Sequence, residues 1–434
     1  MIDYAFVIWL INGISWGLFF IALVISWYYI ASIFISGKKV KPVPHSDKKT
    51  KFAVIVPARY EARVIRHTLE SFKKQTYNPK YFDVWVIIES EKDPTWLICK
   101  AFGYKCFVRK EIEGRRTKGF AIQELHNHFE STNLNYDAYL IVDAGNILSN
   151  RYIEVMNDLR QSGIQCGLGY RNYTNASQNW MTCTSAVFFS YMMTYTARMR
   201  TNLFKKTTLC GTGLFIDTQV IKDAGGWIFT GMTEDTQLTT YCYYHDVNMR
   251  YYPLVEFYDE QCSTIKASHK QKVRWIWGYF ESRKAFKQKT VDYHAQKSKA
   301  ARWWSLFEYR VAIFPFAIVI AINTLLFIAA LVLSITSLFF DPTYSPVFLG
   351  ITFSQIGIIW GIFAFVAMIV IIKDNKHLKF NFPTIIWTMI TYVLFFVDIV
   401  LALLDGLFHK HKRKSWEVID HTGEVNKGVI KNGK

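Results

Sequence analysis

Thr233-Glu234-Asp235 sets two adjacent acids after the turn Gly225-Gly226-Trp227, at the opening of a helical run. One acid of such a pair can be fixed by neighbouring structure while the other faces a cleft, where a carboxylate is suited to act as a general base. The same pair would also serve helix capping and the helix dipole. Downstream, Gln271, Arg274 and Trp275 occupy i, i+3 and i+4, one face of a helix. An amide, a guanidinium and an indole on one face can stack on a sugar or base and neutralise a diphosphate. A solvated basic face has the same spacing. Gly114-Arg115-Arg116-Thr117-Lys118-Gly119 is a cationic, glycine-containing helix start. It suits phosphate binding through Lys118 and backbone amides, or is an ordinary basic loop.

The elements that must position these residues read as an α/β domain. Phe52 to Pro57, Val84 to Ile88 and Ala138 to Val142 are short buried-strand signals, separated by amphipathic helical stretches. That alternation implies a mainly parallel, Rossmann-like sheet covered on both faces. Ligands of such sheets bind beyond the carboxyl ends of the strands, where Pro57, Glu89 and Asp143 fall. Past Asp143 the stretch from Trp180 to Met193 is rich in aromatic residues and methionine but too interrupted to cross a bilayer. It is expected to form an interfacial helix lying against the membrane.

Four stretches exceed the roughly 20 apolar residues that span a bilayer: Tyr4 to Phe34, Phe314 to Phe340, Phe348 to Ile372 and Phe382 to Phe408. The expected division is therefore an N-terminal membrane helix (1–36), a cytosolic catalytic domain with interfacial helices (37–303), a C-terminal membrane region of about three hydrophobic segments (304–408) and a basic cytosolic tail (409–434). The net charge of +17 does not point to nucleic acid, because its basic clusters flank the apolar stretches as in the positive-inside pattern. Seven cysteines without CxxC spacing argue for free thiols and no structural zinc. A single crossing at Phe382 to Phe408 would set Lys410 to Lys414 on the wrong side for that pattern. With Pro383, Asp398 and Asp405 in or near the stretch, a bent or re-entrant passage is expected.

Taken in order, the motifs resemble membrane-integrated family 2 glycosyltransferases, the group containing cellulose, hyaluronan, chitin and poly-N-acetylglucosamine synthases. The resemblance covers about Lys51 to Gly278, and its most specific parts are Thr233-Glu234-Asp235 and Gln271-x-x-Arg274-Trp275 in that order. It implies a GT-A domain on the cytosolic face of the plasma membrane, a nucleotide-diphospho-sugar donor such as a UDP-sugar, a glycan or lipid acceptor, and an inverting transfer. It further implies Asp235 as general base with Glu234 positioning it, and Asp143 as the ligand of Mg²⁺ or Mn²⁺ or of the diphosphate. Pro57, Glu61, Glu89 and Lys118 would bind the donor. Gln271 and Arg274 would hold the diphosphate, and Trp275 would line the acceptor entrance. A processive polysaccharide synthase is the leading reading and single-sugar transfer to a lipid the alternative. The chain departs from the pattern where the usual Asp-x-Asp reads Asp143-Ala144-Gly145, where Tyr60 replaces a common Asn, and where Cys262 replaces a common proline. Trp416 to Thr422 loosely matches a gating segment of some relatives.

Overall fold

The computed structural model describes residues 4–37, 40–110, 114–285 and 345–408, with scattered positions between 298 and 339. The long helix α1 (Tyr4–Ile35) precedes the domain. The domain then runs β1 (Phe52–Pro57), α2 (Ile65–Lys73), β2 (Phe82–Ile88), α3 (Pro94–Phe102), β3 (Lys105–Val108), α4 (Lys118–Ser131) and β4 (Ala138–Ile141). It continues through β5 (Ile147–Leu148), α5 (Tyr152–Gln161), β6 (Cys166–Tyr173), α6 (Trp180–Ser190), a π-helical segment (Tyr191–Ala197) and α7 (Arg198–Phe204). The elements β7 (Leu214–Asp217), α8 (Thr218–Asp223), α9 (Glu234–Tyr244), β8 (Met249–Asp259) and α10 (Ile265–Ala285) complete it. Two further helices follow, α11 (Ser345–Leu378) and α12 (Phe382–Phe408).

The eight strands form one sheet in the order β3-β2-β1-β4-β7-β6-β8-β5. The three strands expected from the sequence, β1, β2 and β4, pair parallel, and β3, which the sequence reading did not include, adds parallel to β2. Beyond them β6 and β8 also pair parallel, so four of the seven strand pairings among the described residues are parallel, while β7 pairs antiparallel with both β4 and β6, and β5 with β8. The sheet is mixed. Both faces are covered, as the unbroken apolar strands require. On β1, Ala53 and Ile55 enter one core, and Phe52, Val54 and Val56 enter the other.

The first of these cores does not stop at the domain. It runs on through α6 into Phe363 and Val370 of α11 and Phe395, Phe396 and Ile399 of α12. The stretch expected to lie against lipid is thus a buried helix, with every residue from Met181 to Ser190 enclosed. Apolar helices of the same chain cover it, which satisfies its side chains without a bilayer. The expected bend in 382–408 is also absent, since α12 is one unbroken helix of 27 residues. Pro383 sits in its first turn, where no intrahelical N–H is needed. The tail, with Lys410 to Lys414 and Trp416 to Thr422, lies outside the described residues, as does most of Phe314 to Phe340. Among the described residues two helical stretches, Phe353–Leu378 and Phe382–Gly406, are long and apolar enough to cross a membrane. All seven cysteines are free thiols.

Polar side chains lock α12 to α10. The buried Lys272 ammonium donates to Asp398 at 2.7 Å and to Ser268 Oγ at 2.5 Å. His269 bridges the acids on α12, with Nδ1 2.8 Å from Asp398 and Nε2 3.3 Å from Asp405. The two acids within the apolar stretch therefore face protein, as an acid in such surroundings must. Losing one partner of a buried ion pair leaves the other charge uncompensated, at a cost of about 3–5 kcal/mol. Asp398→Ala is therefore expected to lower the thermal midpoint of the detergent-solubilised protein sharply. Replacing the pair together, Lys272→Met with Asp398→Leu, should recover most of the loss. Equal midpoints for Asp398→Ala and the unmodified protein would show that the pair holds nothing.

Candidate active site

Three chain segments converge on the carboxyl ends of β1, β2 and β4 around a cavity of about 310 Å³. The loop before α9 organises it. Trp227 is buried and donates through Nε1 to the Phe229 carbonyl at 3.1 Å, which shapes the turn. Thr117 and Gln123 of the α4 region donate to the carbonyls of Thr230 and Trp227 at 2.7 and 2.8 Å. From the other side, Glu281 of α10 accepts from the Met232 N–H at 2.8 Å. Two glycines allow these close approaches. A Cβ at Gly119 would strike the Phe229 carbonyl, and one at Gly278 would strike the Thr233 side chain. The helix starts bearing Lys118 and Glu234 and the helix bearing Arg274 are thus held together at van der Waals distance.

At the centre lies Lys118. Its ammonium is 2.5 Å from Asp143 Oδ1, 3.0 Å from Glu234 Oε1 and 2.5 Å from the Gly211 carbonyl oxygen. Burial alone would lower its proton affinity, but Asp143 and Glu234 outweigh that and hold it well above the usual lysine range. Thr233 makes no side-chain cap hydrogen bond to α9, and both acids lie in the first turn of that helix, where the dipole favours them. Glu234 is tied to Lys118. Asp235 Oδ1 accepts from its own neighbour Thr236, from the N–H at 2.7 Å and from the hydroxyl at 3.4 Å. Its carboxyl is pushed up to about 7 by burial first and by the Glu234 charge second, with Lys118 pulling the other way. One acid is fixed and the other faces the cavity, poised near neutrality.

Every residue expected at the site lines this one cavity: Pro57, Glu61, Glu89, Lys118, Asp143, Glu234, Asp235, Gln271, Arg274 and Trp275. Their surroundings refine what each can do. Glu89 does not stand alone, since the buried Arg109 guanidinium pairs with it at 2.8 Å and with Glu124 at 2.8 Å. The indole of Trp275 meets the Phe189 ring edge-on, centroids 5.7 Å apart. The basic-surface explanation of Gln271-x-x-Arg274-Trp275 fails because this face of α10 turns into the cavity.

Arg109 and Arg171 are site residues that the sequence reading passed over. Arg171 pairs with Asp259 through Nε at 2.9 Å and lies 3.9 Å over the Phe189 ring. The one charged residue in the mostly apolar and aromatic strand Cys166–Tyr173 was the available signal, because a charge buried in a strand requires a partner.

The departure at Gly145 has a backbone cause. Gly145 sits at φ +97°, and a Cβ there would stand 3.3 Å from Val64. An aspartate at 145 would be strained in this turn. Asn146 supplies no substitute, because its side chain is buried and donates to Thr212 Oγ1 at 2.7 Å. The same hydroxyl accepts from the Asp143 N–H at 2.9 Å. Among the described residues no group of three His, Cys, Asp or Glu side chains could hold an ion. Asp143, with 43% of its side chain exposed, can offer one carboxylate. That donor set fits a divalent ion arriving with a phosphate ligand rather than one held by protein alone.

Comparison with known proteins agrees with this geometry. The family model described as "Glycosyltransferase like family 2" matches residues 49–278, more than half of the chain. The probable glycosyltransferase YdaM of Bacillus subtilis (strain 168) is 26% identical over 238 residues, 52% of this chain and 55% of that protein. The chain thus spans about half the length of this relative. Among solved structures, the mannosyltransferase PcManGT from Pyrobaculum calidifontis, in complex with GDP-Man and Mn²⁺, superposes with a TM-score of 0.57 at 13% identity. That likeness covers 92% of this chain and 100% of the other. S. aureus TarS 1-349 in complex with UDP is a looser likeness, with a TM-score of 0.42 at 14% identity over 87% of this chain and 97% of the other. The matched segment begins before β1 and ends at Gly278, and so contains every site residue named above; this chain belongs to glycosyltransferase family 2.

Proposed function

We propose that this protein is an inverting glycosyltransferase, moving a hexosyl unit from a nucleotide-diphospho-sugar to an acceptor hydroxyl. The observation that carries the reading is the division of labour between adjacent acids: Glu234 is tied to Lys118, while Asp235 faces the cavity with its carboxyl near neutrality. The donor's nucleotide would lie at the end formed by Pro57, Glu61 and Glu89. Its diphosphate would lie between Lys118, Gln271 and Arg274, and Trp275 would border the acceptor. The acceptor oxygen attacks the anomeric carbon as its proton passes to Asp235. The bond from that carbon to the diphosphate oxygen breaks, and its electron pair leaves with the nucleoside diphosphate. One base and no second nucleophile give a single displacement, and hence inversion. The nucleotide-sugar complex of PcManGT supports the donor class. The apolar helices α1, α11 and α12 support residence in the plasma membrane with the catalytic domain on the cytosolic face, where nucleotide sugars are made.

A divalent ion, Mg²⁺ or Mn²⁺, would be held by Asp143 together with the donor's phosphate oxygens and would offset charge on the leaving group. Extension of a polysaccharide and a single transfer to a lipid share all of this chemistry. They differ in what the far end of the cavity must accommodate.

A pH profile, three substitutions and calorimetry test the reading. Below pH about 7 the Asp235 carboxyl is protonated and cannot take a proton, so kcat/KM for the acceptor should fall about tenfold per pH unit on that side. Asp235→Asn should lose 10²–10⁴-fold in turnover, in keeping with the typical worth of a general base, with nucleotide affinity unchanged; a flat profile from pH 8 to 5 contradicts the role. Arg274→Lys should fail as well, since an ammonium cannot reproduce the planar fork on a diphosphate, and near-normal activity would remove Arg274 from the leaving-group site. By calorimetry, Mn²⁺ should bind weakly alone and appreciably with UDP, and Asp143→Ala should abolish both the binding and the activity. Full activity in excess chelator would show that protein cations alone stabilise the leaving group.

A further inference from the structure

Part of the wall of the cavity that holds Asp235 is apolar. That part is Phe188, Phe189, Met192, Met193, Ile276 and Ile399. Four of these come from α6 and the π-helical segment that follows it, and Ile399 comes from α12. Segments of π-helix are rare and concentrate at functional sites. A sugar polymer carries hydroxyls on every ring, and this wall offers them no hydrogen-bond partner. Flexible thioethers and aromatic faces instead conform to alkyl chains.

Arg171 and Lys272, two of the cations that line the cavity, are both committed. Arg171 is paired with Asp259 at 2.9 Å, and Lys272 with Asp398 at 2.7 Å. Neither adds net positive charge for an anionic headgroup. Among the described residues, the side of α12 opposite Ile399 is exposed and apolar. Trp387, Ile390, Leu394, Val397, Leu401 and Leu404 recur every three or four residues and are 40–63% exposed. One helix therefore contributes to the cavity on one side and presents a lipid-compatible stripe on the other.

We infer that the acceptor is a membrane lipid with an uncharged hydroxyl headgroup, of the diacylglycerol class, whose acyl chain lies along Phe188, Met192 and Met193 and whose hydroxyl reaches Asp235. This rests on the transferase reading above and names its acceptor. The lipid oxygen bonds to the anomeric carbon, its proton goes to Asp235, and the nucleoside diphosphate departs with the electron pair. A neutral hydroxyl needs such a base. A lipid phosphate, already ionised at neutral pH, does not.

The test uses the full chain in detergent with a panel of UDP- and GDP-sugars and three acceptors: dioctanoylglycerol, citronellyl phosphate and a soluble oligosaccharide. Nucleotide release and labelled product are both scored. The expected result is a glycosylated dioctanoylglycerol. Met192→Lys should raise the KM for dioctanoylglycerol at least tenfold with nucleotide affinity unchanged, and Met192→Leu should keep it near normal. Product only on citronellyl phosphate or only on the oligosaccharide overturns the proposal, as does an unchanged KM in a Met192→Lys protein that still binds nucleotide. Nucleotide release without product on any acceptor overturns the acceptor class and leaves the transferase reading standing. No release with any donor or acceptor overturns both.

Discussion

The Lys118 ammonium is the contact on which the site depends. It joins the start of α4, the end of β4, the start of α9 and the loop at Gly211 through one buried charge. A charge removed from water must be matched by partners, so each of these segments is fixed by electrostatics as well as packing. With Arg274 nearby, two cations stand against the three carboxylates of Asp143, Glu234 and Asp235. Burial first, and then the negative charge of Glu234, give the physical reason for Asp235 to hold a proton near neutrality, against the pull of Lys118. In the proposed reaction, arrival of a diphosphate would add further negative charge, which a cation carried in with the donor would offset.

Close backbone approach supports this arrangement. Gly119 and Gly278 let the loop before α9 pack between α4 and α10 without an intervening side chain. The loop is then stitched to α4 by Thr117 and Gln123 and to α10 by Glu281. A site built this way is stiff, and stiffness preserves the short distances that proton transfer and leaving-group stabilisation require.

The same helix α10 carries both the cavity face, Gln271, Arg274 and Trp275, and the ion pair to α12 through Lys272. The apolar C-terminal helices are therefore structural partners of the catalytic domain as well as candidates for the bilayer. A second polar lock repeats the pattern on α11, where Asp374 accepts from Tyr170 at 2.5 Å and from Ser190, and pairs with His377 at 2.8 Å. Acids embedded in apolar helices and bonded to the sheet and to α6 fix where those helices dock.

Much of this was legible in the sequence, because short apolar strands ending in Pro57, Glu89 and Asp143 and the spacing of Gln271, Arg274 and Trp275 are local patterns. Local patterns report what a segment does with its own neighbours: which residues alternate, which share a helix face, where a strand stops. They identified three of the four strands in the parallel half of the sheet and ten of the residues that line the cavity, though not Arg109 or Arg171. They could not report the antiparallel entry of β7, since strand direction beyond β4 depends on pairing with β6, which is distant in sequence. They also misplaced Trp180 to Met193, because an amphipathic surface looks the same whether lipid or α12 covers it. The pairing of Glu89 with Arg109, of Arg171 with Asp259 and of Lys272 with Asp398 likewise appeared only when the chain folded. Residue type fixed which groups could carry charge; only tertiary structure decided which of those charges are spent on one another and which, like Asp235, remain turned to the cavity.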